Sequence, residues 1–545
     1  MRRYWWNKPE ASRRSPEVRS SRNTKASPRR LLKKSVGSSQ SDLIFYGAVL
    51  FLAAGTRSLL AIFESGSFYF PDSWCYVIVS PNAPCSSGHS PGVTWFWRIG
   101  TFGNLTEHSV LLLQSVLGVM SALLLFRALR LLSTAKWAMV GASLFAVLPL
   151  ELFFERAFMA ESTETFFVCL FLVTAAESFR SITLVRMAAF SIAASASLGI
   201  AAALHDEFLV PALIVWIFMI TLQVRQGSRT GAAITRKLSL VGAAMLSLVI
   251  LVLPSVPIVT DYHNWYGIWT ADPIEGALLT FDWAPLVSCT TPPAATDGTR
   301  AVVHLACAHK KFEYPGSLLN QVYLPSVQST IHLTPDGKQR FAKTEQQLLG
   351  IAQRAIESHP VAFSREIARG VYWQLFRPPS NSLSGYSNAW TSGSASSIFT
   401  EADLPSFLNY HEWFSGSVAR SNSSPAPGLR RAVSATLRVP QLLLWLAIIG
   451  GVWRSIAWLL VSRQKRGRDA RDSRQQRSPI PKSFSSRVCL GLLGSVLIST
   501  SMLAVAFSSV PSFRYWVPLV PCIIMLLILV VPLPKSDTAR SSQLG

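Results

Sequence analysis

The chain has 545 residues, 50% of them hydrophobic and only 15% charged, at a mean hydropathy of +0.32. Soluble chains carry about a quarter charged residues, so this composition excludes an ordinary soluble globular protein. The net charge of +22 does not mark a nucleic-acid binder, because the bases gather in Ser-, Pro- and Gln-rich stretches without interleaved aromatics.

Residues 1–42 form a basic tail, with Arg2, Arg3, Arg13, Arg14, Arg29, Arg30, Lys33 and Lys34 among its cations. It lacks the apolar core of a cleavable signal peptide, so the first apolar run, 43–63, is expected to act as an uncleaved signal anchor. Several windows of roughly 17–22 residues carry almost no charge, the length a helix needs to cross the hydrocarbon layer. Together 43–63, 109–129, 137–153, 162–177, 187–204, 208–224, 238–258, 439–461, 488–507 and 516–533 predict about ten spans. The fold class read here is an all-α polytopic membrane protein with a mixed extracytoplasmic region.

Charge sets the expected orientation. With the tail inside, 127–136, 180–186, 225–237, 463–487 and the C-terminus all fall in the cytoplasm, as the excess of Lys and Arg on that side requires. Attraction of these clusters to anionic lipid is a secondary role. The expected protein is multi-pass in the plasma membrane, with both termini cytoplasmic. Its parts are a tail at 1–42, a membrane module at 43–258 with a first outer loop at 64–108, and an extracytoplasmic region at 259–436. C-terminal membrane helices at 437–535 follow, with a basic loop at 462–487, and then a short tail at 536–545.

The outer stretches are 64–108, a turn near 154–161, and 259–436. Within the last, "EQQLLGIAQRAIESHPVAFSREIARGVYWQLF" places apolar residues at helical spacing, and Pro360 opens the second of two helices. The Ser-rich stretch 380–397 reads as a flexible loop, and no internal repeat is found. Cys75, Cys85, Cys289 and Cys307 fall in outer loops, an even number in an oxidising compartment. The local pairs Cys75–Cys85 and Cys289–Cys307 are suggested, though three pairings exist. The sequons at Asn104 and Asn422 also face outward and matter only in a host that glycosylates them.

"YFPDSWCY" sets Asp72 just beyond the first span, with Tyr76 four residues on. Glu151, Glu155 and Glu161 surround the turn between spans three and four, in "PLELFFERAFMAESTETFF". Ionisable groups at membrane depth are costly and mark function by default, while the plain alternative is an acid solvated at the interface. His89 and Pro91 in "GHSPGVTWFWRIG", and Arg514 and Tyr515 in "VPSFRYWVPLVPC", complete the set. Such a cavity suits a reaction in which a lipid-linked phosphate leaves and a hydroxyl attacks. A carboxylate takes the acceptor's proton, and a cation such as Arg514 offsets the charge growing on the phosphate. Outer-loop tryptophans (Trp74, Trp95, Trp97, Trp265, Trp269, Trp283, Trp390, Trp413) either stack on sugars or form interfacial belts.

Asp72-Ser73-x-x-Tyr76, followed by His89-Ser90-Pro91, resembles the first-loop pattern of GT-C glycosyltransferases, within them the protein O-mannosyltransferases and aminoarabinose transferases. "ERAFMAESTETFFVCLFL" resembles that group's acid-bearing turn, with Glu161 at the matching position. "SFRYWVPLVPCIIMLL" is similar to its Arg-Tyr run into a late span, and 351–376 to its amphipathic segment with a His-Pro break. His-Ser-Pro departs from the usual His-Pro-Pro, and "LHDEF" at 204–208 stands where relatives carry Arg or Lys. There His205, Asp206 and Glu207 read foremost as a solvated turn, with acceptor contacts or a metal site as alternatives.

The resemblance implies a polyprenyl-phosphate-linked sugar as donor, a glycan, lipid or protein acceptor, and inversion at the anomeric carbon. It implies Asp72 as catalytic base and Glu161 as assisting acid, with Tyr76, His89, Glu155, Arg57, Arg514 and Tyr515 binding substrates. Arg57, inside the first span, either snorkels or reaches a phosphate. The resemblance fixes no cofactor and leaves a divalent metal, Mg or Mn, open. Rival readings are a transporter or flippase for lipid-linked sugars, an O-antigen ligase or polymerase, an oligosaccharyltransferase and a non-catalytic scaffold. Against them stand the absence of inverted halves, of an Arg-x10-Gly pattern in 259–436, and of a Trp-Trp-Asp signature; a scaffold would leave Asp72 dispensable.

Overall fold

The computed structural model describes residues 28–63, 90–103, 105–181, 183–205, 208–228, 234–270, 272–309, 335–376, 438–453, 482–507 and 513–530, with short pieces of 432–436. Two compact units divide the chain, Met1–Ile44 and Phe45–Gly545. Among the described residues the chain is helical, without a strand, so the described part of 259–436 is helical rather than mixed.

In chain order the helices are α1 (Pro28–Phe63), α2 (Gly92–Gly100), α3 (Glu107–Leu132), α4 (Ala135–Ala146), α5 (Pro149–Phe154), α6 (Glu161–Arg180), α7 (Leu184–Leu204), α8 (Leu209–Ser228) and α9 (Ile234–Val252). After a 3-10 turn come α10 (Val256–Tyr266), α11 (Glu275–Asp282), α12 (Asp297–His309), α13 (Pro335–Ser358) and α14 (Pro360–Phe376). The last three are α15 (Val439–Trp453), α16 (Lys482–Phe507) and α17 (Val520–Val530).

Six of these segments are long and apolar enough to cross a membrane: Asp42–Phe63, His108–Leu132, Glu161–Arg180, Leu184–Leu204, Val241–Tyr266 and Arg487–Phe507. Leu209–Val224, Val439–Trp453 and Tyr515–Val530 are shorter apolar helices. Helices suit this solvent because every backbone group must be satisfied within the segment. The protein is therefore an all-α, multi-pass membrane protein. The expected span 137–153 differs, because α4 stops at Ala146 and α5 starts at Pro149. Proline has no N–H to donate, and its ring clashes with the carbonyl four residues back. Pro254 interrupts the expected span 238–258 less severely: α9 passes through Leu253–Ser255 into α10.

Helix α6 sits at the centre, with 78% of its apolar window buried against 17% for that of α1. It packs on α7 and α3, and its first turns meet the 3-10 segment Phe513–Leu519. Gly199 lets α7 reach α9 backbone to backbone, since a Cβ there would lie 2.2 Å from the Leu251 carbonyl oxygen. Such small residues are how membrane helices approach closely. A second core, including Tyr262, Tyr266, Phe281, Val302, Phe341 and Leu348, joins α10 to α13 and reaches Ala203 at the end of α7. Cys289 and Cys307 form a disulfide across it, with Cα atoms 5.7 Å apart. Cys75 and Cys85 lie outside the described residues.

Candidate active site

One end of the bundle gathers the chemistry. Helix α6 begins there, α7 ends there, α2 begins there, and the segment Phe513–Leu519 runs alongside. The turn from α5 to α6 carries four carboxylates, Glu151, Glu155, Glu161 and Glu164, and none is more than 2% exposed. The turn is pinned from two sides. Gln114 Nε2 on α3 donates to the carbonyls of Ala157 (3.0 Å) and Met159 (3.3 Å). Trp97 on α2 donates to Thr163 Oγ1 (3.4 Å) and lies edge-on to Phe158.

Arg57 of α1 turns inward and ion-pairs with Glu155, both side chains being at most 4% exposed. Its guanidinium also donates to the carbonyls of Ala53 (3.0 Å) and Ala146 (3.2 Å), tying α1 to the end of α4. So Arg57 does not reach for the interface. Burial raises the Glu155 carboxyl above its ordinary range, and the Arg57 charge pulls against that. Gly118 on α3 makes the room: a Cβ at that position would lie 2.1 Å from Glu155 Oε1. Burial likewise holds the Glu151 carboxyl, a turn earlier, well above its ordinary range, with the Glu155 charge adding to that and the Arg57 charge opposing it.

Glu164 and His205 face each other on the far side of α6's first turns, with Glu164 Oε2 3.6 Å from His205 Nδ1. Tyr515 stacks on the imidazole, with ring centroids 5.6 Å apart and planes 11° apart. These three side chains, with Phe208, Ser501 and Leu519, line a pocket. His205 is only 8% exposed. The solvated turn expected at 204–208 is therefore corrected at this residue, because the histidine is sandwiched between an acid and a tyrosine from two other helical segments. Asp206 and Glu207 lie outside the described residues. Ser90, of the His-Ser-Pro triplet, donates from its hydroxyl to the Ala203 carbonyl, two residues before His205, and accepts from the Gly92 N–H at 3.1 Å. The serine that breaks the expected His-Pro-Pro pattern thus ties the end of the first loop to the pocket's rim.

Of the residues singled out in the sequence, Glu161, Glu155, Arg57 and Tyr515 come to this end of the bundle. Asp72, Tyr76 and His89, and the Arg514 side chain, lie outside what is described. Glu164 and Ser501 were not singled out. Glu161-x-x-Glu164 was a usable signal, since i and i+3 share a helix face, and carboxylates in a first turn are favoured by the helix dipole. Ser501, mid-helix in an apolar run, gave none. Among the described residues no group of three or more His, Cys, Asp or Glu converges to hold a metal. Glu164 and His205 supply two donors, short of a metal's usual set. A histidine held by a carboxylate can take up and return a proton at Nδ1 or Nε2, and the buried, low-dielectric setting strengthens its grip on a charged group.

Fold and pocket together describe a helical membrane protein with an acid- and histidine-lined site at one end of its bundle. No family model and no curated protein matches the chain. Among solved structures it is similar to an oligosaccharyltransferase, AglB, of the archaeon Archaeoglobus fulgidus, in complex with an inhibitory peptide and a dolichol-phosphate. That likeness has 14% identity over 92% of this chain and 51% of the other, at a TM-score of 0.41. The apo form of the Archaeoglobus fulgidus oligosaccharyltransferase gives 12% identity, 89% and 50% coverage, and a TM-score of 0.34. The chain spans about half the length of these structures, and a likeness this distant assigns no activity.

Proposed function

We propose that the protein is a membrane glycosyltransferase of GT-C type. It moves a sugar from a polyprenyl-phosphate donor to an extracytoplasmic acceptor, with inversion. One observation carries the reading. Stretches far apart in the chain, each resembling a GT-C motif or flanking one, meet at one end of the bundle: Ser90 on Ala203, Glu164 on His205, and Tyr515 on His205. A site for an apolar-tailed, phosphate-bearing donor needs acids for the acceptor's proton and a cation for the phosphate, at a membrane boundary.

In this proposal Asp72 is the general base, Glu161 orients or assists the acceptor, and Arg514 holds the departing phosphate. Tyr76, His89 and Tyr515 border the donor, while Arg57 and Glu155 hold the turn on which Glu161 and Glu164 ride. A divalent ion, if the enzyme uses one, would offset phosphate charge. The proposal sets the site on the outer face of the plasma membrane, with both termini in the cytoplasm.

The test compares membranes carrying the native chain and Asp72→Asn, at matched expression and folding, with a panel of radiolabelled polyprenyl-phosphate sugars. Transfer to any glycan, lipid or protein acceptor that is lost in Asp72→Asn supports the proposal and names the donor. Equal transfer by both removes Asp72 from the chemistry and turns the search to Glu161 and Glu164. No transfer from any donor favours transport or a scaffold instead.

A further inference from the structure

Helix α14 has two faces, and the bundle uses only one. Its inner face packs on α16 and α15. Gly370 lies against Ala506, Gln374 Nε2 donates to the Met502 carbonyl (3.0 Å), and Gln441 on α15 donates to the Gln374 carbonyl (2.6 Å). The outer face presents Val361, Arg365, Arg369, Tyr372 and Phe376, all exposed, at the four- and three-residue spacing of a single helical stripe. Exposure reaches 81% for Val361, and 55% and 53% for Tyr372 and Phe376.

The stripe is graded along its length. At its C-terminal end Tyr372 stacks on Phe376 (4.8 Å), and Phe376 meets Trp445 of α15 (5.0 Å). There it runs into another exposed stripe on α15, formed by Leu442, Leu446, Ile449 and Trp453. An exposed apolar face on a membrane helix is suited to contact with lipid. The arginines lie about two and three turns back from Phe376, about 10 and 16 Å along the axis at 1.5 Å per residue. With Phe376 set among the acyl chains, that spacing carries the arginines up to and beyond the headgroup layer, which is about 5–8 Å deep on each side. Arg369 also lies over the Trp373 ring, 4.4 Å from its centroid, which holds the cation at the level of an interfacial aromatic. Glu366 pairs with Arg369 (3.0 Å) and Arg365 (3.7 Å). One acid against two bases leaves one net positive charge on a face whose arginine side chains are 74% and 46% exposed.

We propose that the exposed face of α14 lies in the membrane interface and binds anionic phospholipid headgroups through Arg365 and Arg369, with Tyr372 and Phe376 set among the acyl chains. Apolar anchors at one end and exposed arginines toward the other match a helix that crosses from the acyl chains into the headgroup layer, its cations at the polar level. A second copy of this chain would need acids opposite the arginines and would leave the continuous apolar edge with α15 unexplained.

The test is local to the helix. Benzoylphenylalanine replaces Ala368, an exposed neighbour of both arginines, in the full chain held in nanodiscs of equal parts phosphatidylcholine and phosphatidylglycerol. Illumination and mass spectrometry then identify what is crosslinked. Phosphatidylglycerol adducts should exceed phosphatidylcholine adducts about fivefold, the worth of one net charge near an anionic surface. The ratio should fall to one or below in R365Q/R369Q, which leaves Glu366 without its partners, and rise in E366Q, which keeps both arginines and removes their neutralising partner. Equal adducts of the two lipids in the native background overturn the proposal. So do adducts to protein, the absence of lipid adducts, or a ratio that E366Q leaves unchanged.

Discussion

Replacing Arg57 with methionine keeps most of the side chain's apolar stem and removes the charge that holds Glu155. The guanidinium makes three contacts at depth, to Glu155 and to the carbonyls of Ala53 and Ala146. Both partners of the ion pair are almost fully buried, so water cannot take over the lost interaction. Breaking a buried pair from one side costs about 3–5 kcal/mol, whereas replacing both partners with apolar groups is often neutral or stabilising. Arg57→Met should therefore lower the thermal unfolding midpoint of the nanodisc-held protein by several degrees, and Glu155→Leu alone, which leaves the Arg57 charge buried and unpaired, should do at least as much. The double variant Arg57→Met/Glu155→Leu should melt closer to the native protein than Arg57→Met does. Gly118→Ala provides an independent check, because its methyl would collide with the Glu155 carboxylate. It should cost about 1–3 kcal/mol in the native background and little in Glu155→Ala. A native midpoint in Arg57→Met, or penalties that simply add in the double variant, would refute the clamp.

If the pocket handles a proton in the proposed sugar transfer, Glu164→Gln and His205→Ala should each lower it about 100- to 10,000-fold, the range for losing one general acid–base group, while thermal midpoints stay within a few degrees. Normal transfer by both would remove the pocket from the reaction. Cys289→Ser/Cys307→Ser opens a loop with a sequence separation of 18 residues. It should destabilise the α10–α13 region by about 3 kcal/mol, seen as faster limited proteolysis there under non-reducing conditions. Gly199→Val should abolish stable expression, because its side chain meets the Leu251 backbone and backbone cannot step aside; a well-folded variant seen by size-exclusion chromatography would contradict that packing.

Much of the fold was legible along the chain. Six of the ten expected spans coincide with helices long and apolar enough to cross a membrane, and three more with shorter apolar helices among the described residues, since the bilayer sets length and polarity together. The exception, 137–153, shows why composition alone is insufficient. Its residues are apolar enough, yet Pro149 divides them and sends Glu151 and Glu155 into the bundle. The site was legible in part for the same reason. Glu161, Glu155 and Tyr515 stood out because charged and aromatic groups are conspicuous in apolar surroundings. Glu164 stood in the same motif, and its i, i+3 spacing from Glu161 marked a shared helix face, but its partner His205 was set only by the fold.

Length, hydropathy and charge thus determined by themselves that this chain is helical and crosses a membrane repeatedly, because those properties depend on each segment's transfer from water to lipid and not on its neighbours. Partnerships were decided only in three dimensions. Arg57 and Glu155 are separated by 98 residues and His205 and Tyr515 by 310, and no local pattern specifies which distant group a buried charge will meet. That choice came from close helix packing: Gly118 and Gly199 let backbones and carboxylates approach where any larger residue would hold them apart.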